Sequence, residues 1–380
     1  MSTPYGHWNG YEGSVISDVY PAGLPSAARK KVGFLAITRA IPRSSGAIQS
    51  YSDAMPERER KRVRRGEKDQ IKGIRRMAVS GPSVITGIGD DAAVLRMPPE
   101  HDVLVTTDFS IEKVHFRREW HQPGVVGWRC LTRGLSDIAA MGGEPQAAFL
   151  SLAVSSDVPQ NWVDKFLKGL LALAKEYKVP LAGGDLAQAA SGIQADIVVV
   201  GSVPRGTAVL RSGAKPGDQI YVTGELGGAA MALARLADSQ LLGAEYFPHF
   251  RPRARIAVGR WLRQHEVPSA MIDVSDGLST DLSHICEESR VGAEMEVESI
   301  PRARWGKGGK RLVDIALALN GGEDYELLFT SSQPVPPEVE GIPVTRIGRM
   351  TASVGMRLID SDGRMRLLEP GGWEHFRGSL

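Results

Sequence analysis

The chain of 380 residues carries 46 Lys and Arg against 44 Asp and Glu, a formal net charge of +2, which leaves no whole-chain electrostatic case for a nucleic-acid partner. Its length allows two domains of ordinary size, and 42% hydrophobic residues with 43 glycines suit a loop-rich α/β protein. No apolar run approaches the roughly 20 residues of a membrane span, and Cys130 and Cys286 form no CxxC unit, so they read as reduced, buried thiols of a cytoplasmic protein.

Residues 1–65 differ from all that follows. They are rich in Gly, Pro and Ser and end in the charge run Glu57-Arg58-Glu59-Arg60-Lys61-Arg62-Val63-Arg64-Arg65. The expectation is a disordered extension, or an overcalled start with Met55 as one plausible true start. A basic arm for nucleic acid is the alternative. The apolar stretch 32–37 is too short for a secretory core.

From about Gly66 the pattern turns regular. It predicts strands at 102–106, 147–154, 193–203 and 218–223, with helices at 123–141 and 158–177. In the second helix Trp162, Phe166, Leu170 and Leu173 recur at spacings of three and four, giving one apolar face. Strands alternating with helices imply an α/β or α+β layered architecture. The Pro/Gly-rich stretch from Val203 to Gly217 marks a boundary. Domains are therefore expected at 66–207 and 218–380 around a linker at 208–217. The second carries helices near 225–237, 251–264, 277–289 and 311–319, then strands at 325–330, 343–348 and 355–359.

Six acidic clusters, each against Gly, Ser or Thr, punctuate these elements: Gly89-Asp90-Asp91, Thr106-Thr107-Asp108, Ser136-Asp137, Gly183-Gly184-Asp185, Asp273-Val274-Ser275-Asp276-Gly277 and Gly321-Gly322-Glu323-Asp324. Several follow an apolar run that reads as a strand. Carboxylates at strand ends, beside residues small enough for close phosphate approach, are what a Mg²⁺–polyphosphate site needs. Single-loop nucleotide motifs are absent: there is no GxxxxGK[ST], and Asp108-Phe109 is followed by Ser110 with no HRD loop. An EF-hand counted from Asp273 puts Gly277 one place early and His284 where a bidentate Glu belongs.

Each cluster also has a plain structural reading. Asp91 and the three acids after Gly322 can be solvated, Asp137 can point to solvent, and the glycines before Asp185 can simply form a tight turn. His115, in a loop past Asp108, can be structural. Ser275 or Asp276 is expected to cap the helix starting near Leu278, whose N-terminus favours anions.

In order along the chain, GIGDDAAV (87–94), TTD…VHF (106–116), LSDIAAMGG (135–143), GGD (183–185), RSGAKPGD (211–218), DVSDGLSTDL (273–282), GGEDYELLFT (321–330) and GWEHF (372–376) resemble the thiamine-monophosphate kinase family of the aminoimidazole-ribonucleotide synthetase-like superfamily. The resemblance spans roughly residues 66–380. It implies direct in-line transfer of the ATP γ-phosphoryl group to thiamine monophosphate, giving thiamine diphosphate. It further implies several Mg²⁺ ions held by Asp91, Thr106, Thr107, Asp108, Asp137, Asp185, Asp273 and Asp276. ATP contacts would come from Gly184, Asp185, Arg211 and Ser275, with Tyr177 as a further candidate, and substrate contacts from His115, Glu323 and Trp373.

The acceptor is already a phosphate monoester, ionised near pH 6, so no general base is needed and positioning dominates. The family also implies a homodimer in which the mixed sheets of the N-terminal domains pair into a barrel, beside a C-terminal α+β domain. Three departures stand out. Leu186 follows GGD where the family usually has Thr, and Arg133-Gly134 stands where Val-Asn is usual. Gly224-Glu225-Leu226-Gly227-Gly228 replaces a Thr and an Asp of the usual turn. Two rivals stay open: another ATP-using enzyme of the superfamily acting on a ribonucleotide or maturation substrate, and a non-catalytic nucleotide- and metal-binding paralogue.

Overall fold

The structure, a computed structural model, describes residues 65–238, 240, 242, 246–306 and 309–376. The extension expected at 1–65 thus lies, apart from Arg65, outside the described residues. Described residues from Arg65 to Trp373 belong to one compact unit, and 374–376 fall in another.

Helix α1 (Glu67–Met77) opens the regular part, with Gly66 at its N-cap. A short hairpin of Val84–Thr86 with Val94–Leu95 follows and carries the 87–91 turn. A four-stranded sheet then forms from β1 (His101–Ile111), β2 (Glu144–Val154), β3 (Leu181–Gln188) and β4 (Ile193–Pro204). Helix α2 (Pro123–Ala140) follows β1, and α3 (Gln160–Glu176) follows β2. The order is β1-β4-β2-β3, and β2/β3 is the parallel pair. A parallel pair needs a crossover, which α3 supplies.

Leu104, Leu150, Leu152, Ile197 and Val199 bury one face of this sheet against α2 and α3. Side chains alternate across a strand. The intervening residues Val103, Val105 and Phe109 are therefore turned to the other face, where they are 52%, 66% and 57% exposed. The apolar run 179–181 marks only the start of strand β3, and its glycines hide the rest from the sequence pattern. Gly184 sits at φ +140°, and a Cβ there would fall 1.9 Å from the Leu150 carbonyl oxygen, so this backbone requires glycine.

The second sheet draws on β5 (Gln219–Thr223), β6 (Ala270–Val274), β7 (Gly292–Glu296), β8 (Glu326–Ser331), β9 (Ile342–Thr351), β10 (Gly355–Ile359) and β11 (Met365–Leu368). Its order is β11-β10-β7-β9-β5-β8-β6, with Glu338–Val339 added on β9. Helices α4 (Gly228–Ala237), α5 (Ile256–Gln264), α6 (Leu278–Ser289) and α7 (Ile315–Asn320) accompany it. The helix expected at 311–319 starts only at Ile315, because Asp314 caps it by accepting the Ala316 N–H at 2.8 Å. Arg311–Leu312 pairs instead with Arg304–Trp305. The helix expected from 251 begins at Ile256, beyond Pro252. Mixed α and β architecture is thus as expected, and no closed barrel forms within the chain's described residues.

The two halves meet along α2. Ala139 and Ala140 pack with Tyr221, Val258, Leu262, Met271, Leu327 and Phe329 in a buried cluster of their own. At this seam α2 and α5 touch backbone to backbone: a Cβ at Gly259 would lie 2.1 Å from the Ala139 carbonyl oxygen. Trp128 adds a buried hydrogen bond from Nε1 to the Pro252 carbonyl at 2.8 Å. No helix among the described residues is long and apolar enough to cross a membrane.

Candidate functional site

Helix α2 packs against both β1 and β6, and three acids from these remote segments meet along it. Asp108 stands on β1 opposite Ile197, in the row that faces the helices. Thr106 donates its hydroxyl to Asp137 on α2. Ser136, buried next to it in the chain, donates to Asp273 of β6 at 2.6 Å. Asp137 therefore does not point to open solvent.

The trio's electrostatics follow from its crowding. Burial first, then the neighbouring Asp137, pushes the Asp108 carboxyl up to about 8, against the opposing pull of Arg133. Burial and Asp137 likewise raise Asp273 to about 7. Asp137 is raised by burial, with Thr106 and Asp108 hydrogen bonds working the other way. The Arg211 guanidinium acts on both Asp137 and Asp273, lowering them. Among the described residues no group of three or more His, Cys, Asp or Glu is arranged as a ready metal-ligand set. The donors still suit a hard cation, being carboxylate and hydroxyl oxygens whose mutual repulsion a divalent ion would relieve.

The 273–277 turn is held differently from the expectation. Neither Ser275 nor Asp276 caps α6. Gly277, at φ +122°, is the N-cap residue and provides no side chain. Asp281 in the first helical turn reaches back instead, and its Oδ2 accepts the amides of Ser275, Asp276 and Gly277 at 3.1, 3.2 and 3.0 Å. The tail folds onto the same place. Gly371 and Gly372 donate to the Ser279 and Thr280 hydroxyls at 3.1 and 3.0 Å, and the Trp373 amide donates to the Asp276 carbonyl at 2.9 Å. Trp373, 40% exposed, is thereby tied to the Asp276 turn.

The three acids of GGEDYEL are all engaged rather than solvated. Glu323, at φ +68°, forms ion pairs with Arg129 and Arg133 of α2, the second at 2.5 Å. Burial alone would raise its carboxyl, but the two guanidiniums win and hold it at about 2. Asp324 accepts the amides of Gly227 and Ala229 at 2.6 and 3.2 Å, at the start of α4. Glu326 binds Arg255 at 2.5 and 2.7 Å and takes the Thr223 hydroxyl at 2.6 Å.

Other predicted residues lie apart from the trio. Thr107 falls in the outward-facing row of β1 and donates to Asp196 at 2.7 Å. Register places Asp185 opposite Ser151, in line with Asp196 and Phe109, on that same exposed side. Leu186, where the family usually has Thr, packs against the first core. Asp91 is exposed in the hairpin turn. The Tyr177 hydroxyl donates to the Ala254 carbonyl at 2.9 Å. His115 accepts the Ile111 amide at Nδ1, 3.0 Å away, and lines a small cavity with Ser110, Phe116, Val126, Arg129 and Arg133. Sequence reasoning missed Arg129, Arg133, Ser136 and Asp281 as site residues. The signal for the first two was present: a pair of cations at i and i+4 on a mostly buried helix whose one other charged residue is Asp137.

Residues 89–203 match the family model of AIR synthase related protein, N-terminal domain, and 215–361 that of the C-terminal domain. The thiamine-monophosphate kinase of Salmonella typhimurium is 37% identical over 319 residues, covering 79% of this chain and 95% of that protein. The crystal structure of thiamine-monophosphate kinase from Stenotrophomonas maltophilia aligns with a TM-score of 0.67 at 33% identity, over 78% of this chain and 95% of that one. The structure of AaThiL complexed with AMPPCP and TMP aligns with a TM-score of 0.63 at 31% identity, over 82% and 97%. By identity and coverage together, the chain belongs to the thiamine-monophosphate kinase family.

Proposed function

We propose that this chain phosphorylates thiamine monophosphate with ATP, yielding ADP and thiamine diphosphate. The observation that carries this reading is the convergence of Asp108, Asp137 and Asp273 on one spot from three elements. Asp108, Asp137, Asp273 and Thr106, with Asp276 on the adjoining turn, would hold Mg²⁺, which supplies neutralisation of two polyanions brought together. Asp91, Thr107 and Asp185, which lie apart from this group, are proposed as further Mg²⁺ ligands, and Gly184, Asp185, Arg211 and Ser275, with Tyr177 as a further candidate, as ATP contacts. His115, Glu323 and Trp373 are proposed to face the vitamin ester. Ser136 and Thr106 fix the rotamers of Asp273 and Asp137, so the acids need little reorganisation when substrates arrive. The acceptor phosphate attacks in line without a protein base, and the chain's contribution is alignment.

The domain division at 208–217, a cytoplasmic location and a homodimer complete the proposal. The dimer would cover the apolar outward face of β1, where Val103, Val105 and Phe109 are exposed. Purified protein with Mg-ATP and thiamine monophosphate, followed by chromatography, tests the activity. Thiamine diphosphate should accumulate and require a divalent metal. ATP hydrolysis indifferent to thiamine monophosphate would favour a superfamily enzyme of other specificity.

A further inference from the structure

The departure at Arg133, read against the usual Val, places a second buried guanidinium beside the proposed reaction site. Arg129 and Arg133 stand one turn apart on α2, and both line the small cavity that also takes in Ser110 and His115. The polar lining is rich in donors. An arginine has five N–H groups and no acceptor. The Ile111 amide donates to Nδ1 of His115, which leaves the ring proton of the neutral imidazole on Nε2.

Charge points the same way. Glu323 is shared by both arginines, and Asp108, beyond Arg133, belongs to the acid trio. The two imidazoles packed near Arg129 add no negative charge. Burial drives His121 down to about 4 and His249 well below the usual histidine value, so both are neutral at neutral pH. Nε of Arg133 is buried with no hydrogen-bond partner. A buried guanidinium N–H left unmade is costly, and an anionic oxygen is the partner that offsets it best.

We propose that Arg129 and Arg133, with His115, form the subsite for the phosphate-monoester end of the acceptor. This rests on the activity proposed above and gives the two arginines a part in it. The arginines place the monoester next to Asp108, one side chain from the acids assigned to magnesium. Arg133 is here a substrate-binding residue that supplies donors where Val would supply none.

The test uses the full chain in EDTA, so that no metal bridges phosphate to the carboxylates, and measures binding of thiamine monophosphate and of thiamine by calorimetry. Wild-type protein should bind the monophosphate at least about tenfold tighter than thiamine. Arg133→Met should bring the two affinities within about twofold while leaving that for thiamine in place, and Arg133→Lys should restore part of the gap. An unchanged ratio in Arg133→Met overturns the subsite. Should circular dichroism show that the variant does not fold, inorganic phosphate on the wild type decides. It should weaken the monophosphate severalfold and spare thiamine, and an equal effect on both overturns the proposal. Wild-type turnover separates the two readings. Thiamine diphosphate formed alongside an unchanged ratio sinks only the subsite; its absence sinks the activity and the ligand assigned here.

Discussion

Ser136 and Asp273, 137 positions apart, are joined by a buried hydrogen bond of 2.6 Å across the seam between the two halves. The bond links the helix that carries Asp137 to the strand that ends in the 273–277 turn. The proposed reaction therefore depends on a contact that neither half makes alone.

Asp108→Asn removes one of three crowded charges at nearly constant shape. In EDTA at about pH 9, above the value of about 8 to which its neighbours and burial push the Asp108 carboxyl, it should raise the melting temperature, since repulsion among Asp108, Asp137 and Asp273 falls. With Mg²⁺ the order should reverse: wild-type protein gains stability from the ion and the variant gains far less. Turnover should drop by roughly three orders of magnitude or more. Differential scanning fluorimetry with and without metal, beside product assays, decides it, and equal magnesium stabilisation of both proteins would refute the ligand role.

Glu323 makes acid stability predictable. Its carboxyl is held at about 2 in the fold against an ordinary 4.5. The ionised form therefore contributes stability above about pH 4.5, and that contribution is lost as pH falls toward 2. The amount is on the order of 3 kcal/mol. Glu323→Gln should flatten this part of the acid limb while costing several kcal/mol at neutral pH, because Arg129 and Arg133 lose their shared partner. Urea titrations at stepped pH measure both effects. An acid limb as steep in the variant as in the wild type would contradict the pairing.

Asp281→Ala should loosen the 275–277 turn by releasing three backbone amides at once. A loss of about 2–4 kcal/mol is expected, together with faster hydrogen exchange at Ser275, Asp276 and Gly277. Ser275→Ala should leave the helix intact, since it is not the cap. Mass-resolved hydrogen exchange compares the two variants directly.

Val105→Asp puts a charge on an outward strand position that is 66% exposed, so the single chain should fold as before. If the apolar face of β1 is the dimer surface, light scattering will give the mass of one chain instead of two at micromolar concentration. A variant that keeps wild-type mass would move the interface elsewhere.

Much of this was legible from residue patterns, and the exceptions have physical reasons. Helices α2 and α3 announce themselves through long apolar periodicity, and β4 through the apolar run Ile197-Val198-Val199-Val200. Strand β3 shows only its first residue, because Gly183-Gly184 replaces the β-branched residues that usually mark a strand, and at Gly184 the Leu150 carbonyl demands the glycine. Strand β7 hides behind Gly292-Ala293-Glu294-Met295-Glu296, poor strand formers that hold their conformation only through pairing with β9 and β10. At the site, the acidic clusters could be counted from the sequence, but their partition could not. Thr106 and Thr107 are adjacent, yet strand alternation sends one to Asp137 and the other to Asp196. Arg129 and Arg133 escaped notice because charge inside an apolar helix acquires meaning only once Glu323 arrives from nearly two hundred residues away.

Asp108 and Asp137 ride on the early half of the chain, and Asp273 follows in the later one. A ribosome that has released only the first sheet and its helices has yet to make Asp273 and the strand that carries it. If the trio is the proposed magnesium site, ATP can be spent only once translation has passed Asp273 and the late strands have closed against α2.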